Sequence, residues 1–280
     1  MSKIKIVCDS SAGLTEEEIK KYDITIVPLT VMIDGTVYTE GETITNDQFP
    51  ELMKNAQSLP KTSQPPIGKF VGAFDQLGAD GSAVLCVCMM ESISGTVHAA
   101  EQAAKMTKTT VTVVDCHTTD RCMAFQIIEA AKVIERGGTM EEAVAKVRDV
   151  FAKSKLFLAI DKLDNLVAGG RVNRFSGTLS KLLNIKVMLE IKDGEITIDS
   201  KGRGTKYLHK TWERILQQMV EGPKVKAIGI SDVQATKEVN WLLERLREHF
   251  PDINIVVRET VPIIATHTGI GANSLHYYTE

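Results

Sequence analysis

The run from Ser82 to Met90 carries no charged residue and follows directly on Asp80-Gly81. A continuous apolar stretch of this length, closed by a turn signal, reads as a strand buried on both faces. Such a strand needs helices above and below it, and the flanking sequence supplies them. Upstream, Ile67, Phe70, Val71, Phe74 and Leu77 recur at helical spacing. Downstream, Thr96 to Met106 reads as helix, Thr110 to Asp115 as strand and Thr119 to Arg136 as a long helix. Alternation of this kind predicts a parallel sheet joined by right-handed crossovers.

The start of the chain fits the same sheet. Lys3 to Cys8 is a short apolar run that ends in the polar turn Asp9-Ser10-Ser11-Ala12-Gly13. Thr15 with Glu18 forms a capping box that opens a helix. Ile24 to Ile33 reads as one β-rich run, turned by Asp34-Gly35 into a short return strand, Thr36 to Thr39. Thr45-Asn46-Asp47-Gln48 starts a further capped helix, and Leu59 to Pro66, broken by Pro60, Pro65 and Pro66, reads as a loop. Thr139 to Lys153 is a capped helix that leads out of this half.

Beyond it the pattern changes. Leu156 to Ile160 reads as strand, Leu163 to Ala168 as a short helix and Gly169-Gly170-Arg171 as a loop. Ile185 to Ile191 and Glu195 to Asp199 flank Asp193-Gly194, a hairpin signal. Tyr207 to Val220 and Thr236 to His249 read as helices, Lys226 to Ile230 and Asn254 to Glu259 as strands. The expected fold is α/β in two domains. Residues 1–154 form a parallel-sheet α/β domain, and residues 155–280 form an α+β domain with a mixed or antiparallel sheet.

Composition removes several function classes. The 280 residues carry a net charge of -3 without a basic stripe, which argues against nucleic-acid binding. The N-terminus enters a strand at once, without the apolar core of a signal peptide, and no stretch of about eighteen apolar residues occurs. The five cysteines, Cys8, Cys86, Cys88, Cys116 and Cys122, read as reduced, buried thiols of a cytoplasmic protein. Cys86 and Cys88 share a strand face, but no second Cys/His pair at ligand spacing follows, so neither zinc nor any other metal is expected. Gly202-Arg203-Gly204-Thr205 lacks the lysine of a phosphate loop, and Gly269-Ile270-Gly271 lacks the third glycine of a dinucleotide fingerprint. No cofactor is expected.

Five short stretches resemble the DegV family in family order and spacing: Asp9-Ser10-Ser11, Thr62-Ser63-Gln64-Pro65, Ser92-Ile93-Ser94-Gly95-Thr96, Gly170-Arg171-Val172 and His267-Thr268-Gly269-Ile270-Gly271. The sequence departs from the family pattern at Ile270, where proline is common, at Asp115-Cys116-His117 in place of Asp-Ser, and at Ile185-Lys186-Val187, which lacks a proline. The resemblance implies two α/β domains with a lipid tunnel between them. It implies that a long-chain fatty acid such as palmitate is held there with its carboxylate at the polar end. By resemblance, Thr62, Ser63, Ser94, Gly95, His267 and Thr268 are the fatty-acid-binding residues. Arg171 and Arg203, read as exposed loop residues, would dock a separate ATP-dependent fatty acid kinase that forms the acyl phosphate for lipid synthesis. Transient contact with a membrane surface is compatible with that role.

The physics agrees with the residue types. Thr62 and Ser94 read as hydroxyls at helix N-termini, where backbone N–H groups and the helix dipole favour an anion. Gly95 lets backbone approach closely, and His267 offers a donor in Gly-rich surroundings. Each has an ordinary reading too. A Ser or Thr ahead of a helix is commonly only an N-cap, Asp9-Ser10-Ser11 is commonly a polar turn, and a lone histidine is commonly structural. His98, His209, His249 and His276 are read as structural, with His117 left open. Two other function classes stand beside the carrier. One is a serine esterase using Ser94, His267 and either Asp9 or Asp115, against which stands the absence of a Gly-x-Ser-x-Gly elbow. The other is a regulatory module without a ligand.

Overall fold

The computed structural model describes residues 3–161, 163–171 and 185–280. The first half comprises β1 (Ile4–Asp9), α1 (Glu16–Tyr22), β2 (Ile24–Val27), β3 (Thr30–Ile33), β4 (Thr36–Thr39), α2 (Phe49–Asn55), β5 (Lys61–Ser63), α3 (Ile67–Gly78), β6 (Ala83–Cys88), α4 (Thr96–Met106), β7 (Val111–Asp115), α5 (Asp120–Glu135) and α6 (Met140–Ala152). Four of these strands form a parallel sheet in the order β2-β1-β6-β7. The apolar run at Ser82 is its centre, and Val84 to Cys88 are fully buried. Phe70, Phe74, Val97 and Ala100 of α3 and α4 cover one face. Ile127, Ala130, Ala143 and Val147 of α5 and α6 cover the other. The capping box at Thr15 with Glu18 forms as expected, and the capped helix at Thr139 proves to carry one too, with Glu142, whereas the capped helix expected from Thr45 starts only at Phe49, without a side-chain cap.

The second half comprises β8 (Ser154–Ile160), α7 (Asp164–Ala168), β9 (Ile185–Lys192), β10 (Glu195–Arg203), α8 (Gly204–Glu221), β11 (Val225–Asp232), α9 (Thr236–His249), β12 (Ile255–Glu259), α10 (Pro262–Thr268) and β13 (Asn273–Thr279). Its mixed sheet of six strands runs β10-β9-β8-β13-β11-β12, parallel only between β11 and β12. Strand alternation gives that sheet two different faces. Phe157, Ala159, Met188 and Leu275 pack under Trp212 of α8 and Leu242 of α9. Leu156, Leu158 and Ile160 point the other way, beside Ile191, Leu189 and Val187 of β9, toward the first half. The Asp193-Gly194 turn takes the left-handed conformation at both residues, with φ of 52° and 76°, as a two-residue hairpin requires.

Two expectations about the strands are corrected. The run Ile24 to Ile33 is not one strand. Pro28 interrupts it, because a residue without an N–H cannot continue the ladder. The following N–H, of Leu29, instead donates to Ser10 Oγ at 2.9 Å. The chain beyond it joins a separate three-stranded sheet, β4-β3-β5. The loop before α3 contains β5, a short edge strand paired with β3 through Val31 and Thr62. The segment Pro262 to Thr268 is a helix with proline in its first turn, where the missing N–H costs nothing.

The small sheet links the two halves. Its Val31 and Ile33 pack with Val233, Ala265 and Ala272. Glu40, just beyond β4, accepts from the Ile263 N–H at 2.5 Å and from the Ser10 hydroxyl, so one buried carboxyl joins β1, the small sheet and the start of α10. Burial pushes the Glu40 carboxyl up to about 8, against those two hydrogen bonds and with help from nearby Asp9. The folded state therefore holds this proton more tightly than the unfolded chain, so its contribution to stability is full below about pH 4.5 and is lost as pH rises toward about 8. Glu40→Gln removes the titration and should flatten that part of the stability curve. Urea unfolding between about pH 5 and 9 checks it; an unchanged slope would rule Glu40 out as its source.

Candidate functional site

The parallel sheet has a switch point between β1 and β6, where the connections leave in opposite directions. Ligands of open α/β sheets sit at the carboxyl ends of the strands at such a point. Here the crevice is built by Asp9, whose carboxylate accepts from the Met89 N–H at 2.7 Å and the Ser11 N–H at 2.9 Å. Above it lies a cavity of about 850 Å³, its open mouth included. Leu29, Met89, Met90 and Ile93 form its floor, Ile263 and Ile264 of α10 a side wall, and the inward row of the mixed sheet its roof. The β9–β10 hairpin is held over the floor where Ser92 Oγ donates to the Gly194 carbonyl at 2.7 Å.

Polar side chains gather at one end. Thr62, Ser63, Ser94, Arg171, His267 and Thr268 all line it. Thr62 is half-buried and Ser63 exposed, so this is the end nearest solvent. Thr62 Oγ1 lies 2.9 Å from His267 Nε2. Burial holds His267 down to about 4, with the Arg171 cation adding to the effect, so the ring is neutral at ordinary pH. Its Nδ1 is buried without a partner among the described residues. The ring is positioned from below by α7: Asn165 Nδ2 donates to the Thr266 carbonyl at 2.9 Å. A Cβ on Gly169 would stand 2.2 Å from His267 Nδ1, so glycine is what permits that approach.

Several site residues sit differently from their sequence reading. Thr62 is on strand β5, not at a helix N-terminus. Ser94 does lie at the start of α4, and it both caps and lines: its Oγ accepts from the Thr96 N–H at 3.3 Å and lies 2.8 Å from Thr96 Oγ1. Gly95 is the N-cap residue; a Cβ there would meet Gln64 Oε1 at 2.1 Å, so its close approach is to a neighbouring loop. His267 lies in the last turn of α10, with glycine only at its C-cap. Thr268 Oγ1 donates back to the Ile264 carbonyl at 3.1 Å.

Arg171 is not an exposed loop residue. It is half-buried in the cavity wall, with Nε donating to the Ile93 carbonyl at 3.2 Å and Nη1 to the Gly169 carbonyl at 2.5 Å. Arg203 is exposed, but it ends β10 and caps α8 and is not part of a loop. Val172, the third residue of its matched stretch, lies outside the described residues.

The serine-esterase arrangement is not assembled. The Ser94 hydroxyl engages Thr96, His267 engages Thr62, Asp9 engages backbone of Ser11 and Met89, and Asp115 engages Glu91 and His117. No aspartate orients His267 among the described residues. Among those residues no group of three or more metal-ligating side chains occurs, and no helix is long and apolar enough to cross a membrane. All five cysteines are buried and unpaired.

What sequence reading missed is the apolar wall. Leu156 and Leu158 on β8 with Leu189 and Ile191 on β9 could have been found as alternate residues of paired strands. Their inward direction could not, because both faces of that sheet carry apolar residues.

An α/β protein with a parallel sheet in one half, a mixed sheet in the other and an apolar cavity between them defines the structural class. The chain belongs to the DegV family: the family model described as "Uncharacterised protein, DegV family" matches residues 3–280. A DegV domain-containing protein of Streptococcus pneumoniae serotype 4 is 42 % identical over 272 residues, 97 % of each chain. A DegV lipid-binding protein from Thermotoga maritima superposes with a TM-score of 0.87 at 28 % identity, covering 99 % of this chain and 98 % of the other. A fatty-acid-binding DegV family protein from Thermus thermophilus superposes with a TM-score of 0.90 at 26 % identity, covering 99 % and 100 %.

The two buried imidazoles at the cavity should stay neutral. Burial also holds His276 at about 4, against the pull of Asp120. Unfolding restores a value near 6.5, so both rings add stability that is present above about pH 6.5 and lost as pH falls toward about 4. Nitrogen-detected NMR of imidazole-labelled protein should show His267 and His276 unprotonated from about pH 8 to 5.5. A midpoint above about pH 6 for either ring would contradict the burial argument.

Proposed function

We propose that this protein is a carrier that buries a long-chain fatty acid, the carboxylate lying at the Thr62–Ser94–Arg171–His267 end and the alkyl chain under the mixed sheet. The observation that carries the reading is the segregation of one cavity into a hydroxyl, arginine and imidazole end and a leucine–isoleucine body. An acyl chain suits the body, because each buried methylene contributes roughly 0.8 kcal/mol, or about 12 kcal/mol gross for some fifteen of them before ordering costs. A carboxylate suits the end, where hydroxyl donors and a half-buried cation meet a ring that is too weakly basic to charge. Fatty-acid binding by the Thermus thermophilus relative agrees with it.

The carrier role extends to a partner. The carboxylate sits at the end nearest solvent, and exposed Arg203 provides a planar fork suited to carboxylate or phosphate groups. We propose that a separate ATP-dependent kinase docks there and phosphorylates the bound acid. The protein itself then contributes binding and presentation and does no chemistry. Such a handover would take place in the cytoplasm, with brief contact at a membrane surface to load lipid.

Mass spectrometry of organic extracts from purified protein tests the first step. One long-chain fatty acid per chain is expected, and well-folded protein that yields none would sink the reading. Ser94→Ala and Arg171→Ala should each weaken binding roughly ten- to a hundredfold, the loss of a hydrogen bond to a charged group being worth about 1.5–3 kcal/mol. A fall in melting temperature with unchanged affinity would reduce Ser94 to a helix cap.

The partner step has its own test. Arg203→Ala should leave bound lipid and melting temperature nearly unchanged and slow acyl-phosphate formation by a cognate kinase. Normal turnover would refute docking at this residue.

A further inference from the structure

The closed end of the cavity is not apolar. His276 and Ser274 of β13 and Thr119, just ahead of α5, face it at 1 %, 6 % and 7 % exposure. Strand pairing fixes their place. His276 stands beside Leu156 and Ser274 beside Leu158, on the inward face of the mixed sheet. Leu156 lies four residues back along β8 from Ile160, roughly 13 Å at the usual strand rise. Ile160 packs on Leu166, at the Arg171 end. The two polar ends are therefore separated by the length of the leucine–isoleucine body.

Two atoms at the closed end have no partner among the described residues: Thr119 Oγ1 and His276 Nδ1. Buried polar atoms of native proteins are almost always paired. Their hydrogen-bonding roles follow from their neighbours. With the single Ser274 hydroxyl proton assigned to the Ser231 carbonyl, 3.0 Å away, its oxygen accepts from His276 Nε2 at 2.8 Å. Nε2 of the neutral ring thus carries the proton, and Nδ1 presents a bare lone pair. Asp120, next to Thr119, is in a different condition. Its Oδ1 accepts from Ser231 Oγ at 3.0 Å and Arg258 Nη1 at 3.3 Å, and its Oδ2 from Thr260 Oγ1 at 2.6 Å. Only the ring nitrogen and the threonine hydroxyl are left to address the cavity.

We propose that Thr119 and His276 form a hydroxyl-recognition subsite at the closed end of the tunnel, fitted to a fatty acid that carries a hydroxyl on its chain. The inference rests on the fatty-acid reading above. The ligand hydroxyl donates to His276 Nδ1 and accepts from the Thr119 hydroxyl. A keto group at the same carbon cannot serve, since it has no hydrogen for Nδ1. An apolar tunnel would discriminate against any such oxygen about ten- to a hundredfold, because the group would be buried unpaired.

The test uses the delipidated full chain and displacement of a fluorescent fatty acid by stearate, a positional series of hydroxystearates and the matching oxostearates. One hydroxy isomer should bind at least as tightly as stearate, with its oxo counterpart about tenfold weaker or worse. Thr119→Val and, separately, His276→Phe should each lower the hydroxystearate-to-stearate affinity ratio about tenfold. The wild-type series decides alone if either variant fails to fold. Every hydroxy isomer binding about tenfold more weakly than stearate, as when a trapped water already satisfies both atoms, would overturn the subsite. Equal binding of hydroxy and oxo isomers would overturn it as well. Failure of stearate itself to bind would instead overturn the fatty-acid reading.

Discussion

The buried Glu40 carboxyl is the contact on which the cavity depends. It holds the first turn of α10 through the Ile263 N–H and the β1 switch point through the Ser10 hydroxyl. Ser10 in turn receives the Leu29 N–H at the break made by Pro28. Ile263, Ile264, Leu29 and His267 are cavity residues positioned by these bonds. A charged group would be costly in such a place, and burial accordingly favours the protonated acid in both Glu40 and neighbouring Asp9. That desolvation makes the anchor sensitive to alkali.

Given that anchor, what each sheet contributes to the cavity follows from its geometry. The parallel sheet ends its strands at a switch point and so delivers backbone turns, hydroxyls and helix starts. These are the groups suited to an anion. The mixed sheet delivers a face of alternate residues from neighbouring strands, which is a continuous surface rather than a set of points. Leu156, Leu158, Leu189 and Ile191 make one such surface. Both halves contribute to both parts of the cavity, Thr62 and Ser94 meeting Arg171 and His267 at its polar end and Leu29 and Met89 facing Leu156 and Leu189 along its body, so the space exists only where the two meet.

Much of this was legible in the sequence. The Ser82 to Met90 run led to the parallel sheet because only a doubly covered strand can be apolar throughout, and the Asp193-Gly194 pair led to the hairpin because it permits left-handed backbone at both positions. The resemblance brought Thr62, Ser94 and His267 to one place, which the structure does as well, although two of them sit on elements other than those expected. What stayed hidden depends on contacts distant in sequence. Nothing in the local pattern says that Thr62 pairs its strand with Val31, that Gly169 gives room to a ring 98 positions away, or that Arg171 turns inward. Glycine at 169 and 95 reads locally as loop flexibility, while its cause is a neighbour that a Cβ would strike.

His276 shows the same limit from the opposite side. As a histidine in a terminal strand it reads as structural, and its pairing with Ser274 supports that reading. Yet with the Ser274 proton on the Ser231 carbonyl the pairing sets the tautomer, and in the proposed subsite that tautomer offers the ligand an acceptor rather than a donor. A structural hydrogen bond and a binding role are therefore not alternatives for this residue. The first would fix the direction of the second, just as the Glu40 contact, structural by any local measure, decides where His267 and the side wall of the cavity stand.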